Sequence, residues 1–107
     1  MIVGILIDPK SKSIREVEFN PTLESMQGFI GGMLEAGGYL ENGDVFYVDE
    51  EGRLKGLKYG FFIKIKNREH EFFGRGLVLH INEEGDEESA RSTIEELSKN
   101  AYFWKAV

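Results

Sequence analysis

A compact α+β domain, with one mainly antiparallel sheet packed against two helices, is the fold class this sequence predicts. Three observations predict it. Several short segments carry the alternating or continuous apolar pattern of strands, and two others space apolar residues by three and four. The chain has 107 residues, 41% of them hydrophobic, enough for one core. Residues 1–107 are therefore read as a single domain.

The elements follow in order. Ile2 to Ile7 is a nearly unbroken apolar run, the mark of a strand covered on both faces, and Asp8-Pro9 closes it. Ile14 to Phe19 alternates, with Val17 and Phe19 opposite Glu16 and Glu18, so the chain is expected to open with a hairpin. Asn20-Pro21-Thr22 signals a helix start. Leu23, Met26, Ile30 and Met33 then fall on one helical face, and Gly37-Gly38 is the expected end. Asn42-Gly43 predicts a turn into a strand at Val45 to Val48, and Asp49-Glu50-Glu51-Gly52 reads as a hairpin tip returning through Leu54. Phe61 to Ile65 and Leu77 to Ile81 give two more strands, with a polar loop at Asn67 to Glu71 between them. Gly74-Arg75-Gly76 marks a bulge or close backbone contact. Asp86 is the expected cap of a second helix with Ala90, Ile94, Leu97 and Ala101 as its apolar stripe. Tyr102-Phe103-Trp104 is too apolar for a loose tail and either folds back or meets another subunit.

Charge and cysteine content narrow the function classes. The formal net charge of -6 argues against direct nucleic-acid binding. Its distribution is uneven: from Arg53 to Arg75 seven Lys or Arg face two Glu, a net +5, so the remainder sums to -11. Lacking cysteine, the chain has no disulfides, thiolate nucleophiles or zinc-thiolate sites, which suits a reducing cytosol. The opening MIVGILIDPK has neither the length of a spanning helix nor the flanks of a signal peptide. A soluble cytoplasmic protein without membrane association is expected.

No catalytic residue, metal site or cofactor is predicted. Gly28-Phe29-Ile30-Gly31-Gly32 matches neither G-x-G-x-x-G nor the P-loop pattern, and its glycines serve as readily for close packing as for a ligand. His70, in an expected loop between Glu69 and Glu71, lacks the partners of a metal site, and for His80, in a strand, a hydrogen-bonded structural imidazole is the commoner role. Asp49, Glu50 and Glu51 lack the alternating ligands of a calcium loop.

Met26-Gln27, Ile30-Gly31-Gly32, Leu34-Glu35, Asp44, Val48-Asp49-Glu50-Glu51-Gly52 and Leu54-Lys55-Gly56-Leu57 together resemble a family of small phage and mobile-element proteins classed as a domain of unknown function. The resemblance spans roughly residues 23 to 82. The chain departs from that pattern at Lys58-Tyr59-Gly60-Phe61, where an Asn with small residues is usual. The resemblance implies a phage-like context, in which proteins of this size often act in counter-defence. On that basis the expected role is non-enzymatic sequestration of a small anionic, nucleotide-like ligand. Gln27, Gly28, Gly31, Gly32 and Glu35 would meet it along the helix, and Arg53, Lys55 and Arg75 would supply charge. The alternative is an acidic inhibitor or DNA mimic acting on a host protein through Glu41 to Glu51 and Glu83 to Glu88. A homo-oligomer is expected from the aromatic cluster and the glycine row.

Overall fold

Hydrogen bonding sorts the strands into two sheets. A computed structural model describes residues 1–106, with nine strands and two helices among them. The large sheet runs β2 (Ser13–Phe19), β1 (Ile2–Asp8), β7 (Gly76–Ile81), β4 (Asp44–Asp49), β3 (Leu34–Tyr39), and β8 (Glu87–Glu88) pairs with the end of β7. The small sheet runs β6 (Arg68–Phe73), β5 (Tyr59–Ile65), β9 (Ala101–Lys105). Every pairing is antiparallel. The α+β class stands, with two sheets in place of one.

Interior strands are apolar on both faces because both faces are covered. Ile5, Ile7, Phe46, Val48 and Val78 point toward the small sheet and pack with Phe61, Ile63 and Leu97. Val45, Leu77 and Leu79 point the other way, beneath Met26 and Ile30 of α1 (Leu23–Ile30) and against Phe19. Strand alternation then assigns the polar residues at the strand ends: Asp44 and His80 share the first face, and Asp8, Asp49 and Arg75 the second.

Several expected boundaries move. Thr22 caps α1, its side chain accepting from the Ser25 N–H, as the start signal predicts. The helix stops at Ile30 rather than at Gly37-Gly38. Gly31 takes φ 87°, a left-handed conformation that suits glycine, and its N–H closes the last turn on the Gln27 carbonyl. Residues beyond it turn into β3, so Gln27, Gly31 and Glu35 do not share a helical face, and Leu23 and Met33 are exposed. The acidic segment after Asp49 does not turn back as a hairpin; it crosses to the small sheet. The expected polar loop at 67–71 is strand β6. Its turn is Lys66-Asn67, both at positive φ (50° and 66°), as in a type I′ hairpin. Thr93, not Asp86, caps α2 (Ile94–Asn100), so Ala90 and Ala101 lie outside that helix. Tyr102-Phe103-Trp104 folds back as β9.

Candidate functional site

Three carboxylates are buried in the large sheet, each at a strand end. Asp8, 4% exposed, accepts from Arg15 Nη1 and Arg75 Nε, both at 3.2 Å. Burial pushes the Asp8 carboxyl upward, but hydrogen bonds from Arg75, Ser11 and Arg15 outweigh it and hold the group below its ordinary 3.8. Asp49 accepts from Lys55 Nζ at 2.7 Å and from the Glu51 N–H. That hydrogen bond, against the opposing effect of burial, raises the Lys55 ammonium above its ordinary range. Asp44 is fully buried and differs from both. Its donors are the Arg91 and Ser92 N–H groups, the Ser92 hydroxyl at 2.7 Å and His80 Nδ1 at 2.9 Å.

The eight residues expected to bind ligand are divided among separate neighbourhoods. Gly28 is exposed with open space around it, and Glu35 is exposed on β3. Gln27 Nε2 reaches the Met33 sulfur at 3.5 Å. Lys55 joins Asp49 to the Gly31 carbonyl at 3.1 Å, and a Cβ on Gly32 would lie 2.6 Å from its Nζ. Glycine at 32 thus makes room for an internal ion pair. Gly31 and Gly32 follow the C-terminal end of α1, where outward carbonyls attract cations, so the local dipole holds Lys55 rather than an anion. Arg53 stacks on the Phe73 ring at 4.7 Å, and Arg75 is taken by Asp8. None of the eight lines either of two clefts found elsewhere on the surface.

The first cleft, of about 450 Å³, is a groove between α2, the β5–β6 hairpin and the β3–β4 turn. Leu40, Ile63, Ile65 and Leu97 make its floor. Lys64, Lys66, Asn67 and Asn100 also line it, as do Glu41 and Glu96, and among the described residues neither lysine has a carboxylate within ion-pair distance. Asn42 and Ser92 form one wall, joined by a 2.9 Å hydrogen bond and anchored on Asp44 from behind. The second cleft, of about 480 Å³, is lined by His80, Arg91, Glu83, Glu84 and Glu88, an acidic surround that repels anions. No hydroxyl or thiol hydrogen-bonds the His80 ring among the described residues. No group of three metal-ligating side chains converges among the described residues, and no helix there is long and apolar enough to cross a membrane.

Sequence signals for the missed residues exist in part. Asp8, Asp44 and Asp49 each adjoin a continuous apolar strand, and an acid so placed must be buried with donors. Nothing comparable flags Lys64, Lys66 or Asn100, whose grouping depends on how α2 meets the hairpin.

Fold and clefts together define a small two-sheet α+β domain with one groove lined by apolar residues, two lysines and two glutamates. The chain belongs to the DUF3846 family, a domain of unknown function whose profile matches residues 2–101. No curated protein and no solved structure matches it.

Proposed function

We propose that this chain is a non-enzymatic binding protein that sequesters a small anionic, nucleotide-like ligand in the groove beside α2, as a counter-defence factor of a phage or mobile element. One observation carries the reading: Lys64 and Lys66, neither in an ion pair among the described residues, border a groove lined by Leu40, Ile63, Ile65 and Leu97, with Glu41 and Glu96 the acids beside them. Those apolar side chains suit a flat ring, and free lysines suit phosphate. Asn67 and the carbonyl oxygen of Asn100, whose amide nitrogen is engaged by the Glu96 carbonyl, add hydrogen-bonding groups to the same groove. The phage setting draws support from the motif resemblance between Gln27 and Gly52.

Isothermal titration with a panel of linear and cyclic nucleotides tests it, using wild type beside a Lys64→Gln/Lys66→Gln variant. Each charge-assisted bond to phosphate contributes about 1.5–3 kcal/mol, so the variant should bind at least about tenfold more weakly. If wild type binds none of the panel but captures a host protein in a salt-sensitive manner, the inhibitor reading replaces this one.

A further inference from the structure

The outer face of the small sheet is aromatic. Since Phe61 and Ile63 point into the core, alternation turns Gly60, Phe62 and Lys64 outward on β5. Register places Phe73 and Trp104 on either side of Gly60, and Glu71 and Tyr102 on either side of Phe62. Phe62 stacks on Tyr102 with centroids 5.0 Å apart, and Phe73 meets the Trp104 ring edge-on at 4.8 Å. A Cβ on Gly60 would lie 2.5 Å from the Trp104 indole and closer still to the Phe72 carbonyl, so only glycine lets the indole lie over the strand. The Trp104 N–H is buried with no acceptor, an unmet donor at this face. Arg53, 72% exposed on its side chain, covers the Phe73 ring.

Charge around the rings is positive. Arg53 and Lys64 lie on the face, and Lys58, Lys66, Arg68 and Lys105 are exposed at its margins. Of the two acids present, Glu69 accepts the Tyr102 hydroxyl and Glu71 lies 3.9 Å from Arg53. Six cations against two acids leave a net +4 around this sheet in a chain whose total is -6, while Lys55 and Arg75 are paired with Asp49 and Asp8 of the large sheet.

We infer that this face is a second binding site, a stacking platform for single-stranded nucleic acid. Rings offer π-faces to unpaired bases while the surrounding cations meet the backbone; a duplex hides its bases and satisfies only the second condition. Net charge alone argues against such a partner, but binding is decided by the local sign. The platform shares Lys64 and Lys66 with the groove, but Phe62, Tyr102 and Trp104 do not line the groove, so variants of the rings separate the two sites.

Trp104 is the single tryptophan, so its fluorescence reports on this face alone. Titration with oligothymidylate and oligouridylate of about twelve nucleotides at low salt should quench it, and labelled strands should gain anisotropy together with the quench. A duplex of equal length should bind at least about tenfold more weakly, and Tyr102→Ala should weaken single-strand binding by about tenfold while circular dichroism stays unchanged. Phe62→Ala serves as a second variant should Tyr102→Ala fail to fold. Equal affinity for duplex, binding without quench, or indifference to both variants would overturn the inference. So would a Tyr102-dependent dimer in light scattering with no oligonucleotide bound, since a second copy would then cover the face. Nucleotide titration of the groove is unaffected by these variants, so either site can fail alone.

Discussion

The two ends of the large sheet treat charge in opposite ways. At one end Asp8 and Asp49 are neutralised by side chains, and Arg15, Arg75 and Lys55 are spent on them. At the other, Asp44 takes backbone N–H groups, a hydroxyl and an imidazole, leaving the nearby Lys64 and Lys66 unpaired. Which donors satisfy a buried acid therefore decides which cations remain for a ligand. Counting lysines and arginines along the chain does not reveal this. Arg75 and Lys66 look equivalent in sequence, yet one is structural and the other is free.

Breaking the Asp44 end should have the largest effect. Asp44→Ala strands four donors in a dry site and should cost about 3–5 kcal/mol, measured by urea unfolding at neutral pH. It should also loosen the groove wall, since Ser92 rests on this carboxylate and Asn42 donates to Ser92. A loss below about 1 kcal/mol would show that backbone donors do not depend on Asp44, and the contrast between ends would collapse.

Asp8→Asn should cost less, about 1–2 kcal/mol, because the Arg15 and Arg75 side chains are 49% and 32% exposed and return readily to water. Its pH dependence sharpens the comparison. The folded Asp8 carboxyl lies below the ordinary 3.8, so its stabilisation is full above that value and disappears as pH falls through the lower folded value. Acid titration of stability should therefore be flatter in Asp8→Asn than in wild type. Parallel acid limbs for the two proteins would remove Asp8 as a stabilising pair.

The smallest effect is expected at the free cations. Lys64→Gln/Lys66→Gln should leave unfolding free energy within about 0.5 kcal/mol, since neither lysine makes an ion pair among the described residues. A larger loss would mean that these charges are structural after all.

Much of the large sheet was legible in the sequence. Strands β1, β4 and β7 announce themselves as apolar runs, and β2 alternates clearly because one face is wet. Strand β3 was hidden, since Leu23, Met26, Ile30 and Met33 keep helical spacing past the point where Gly31 ends the helix. Strand β6 was hidden for another reason: Arg68 to Glu71 are all exposed on an edge, so no apolar alternation marks them before Phe72. The acids from Glu83 to Glu88 imitate a helix N-terminus but lead into the short strand β8, which Glu87 and Glu88 form. The groove was least legible of all, because its members come from three separate segments that only the tertiary fold brings together.

The position of β9 has a consequence for synthesis on the ribosome. Strand β5 lies between β6 and β9, and its second neighbour is made well after its first. Some 32 residues separate Phe73 from Lys105. At 5–20 residues per second, β5 and β6 wait roughly 2–6 s as a two-stranded hairpin, a unit that is marginal in water. During that interval Phe61 and Ile63 lack a completed sheet, and Tyr102 and Trp104 have not yet joined the outer face. Until β9 is made, the β5 edge of a nascent chain stays unpaired, and only that strand completes the aromatic face.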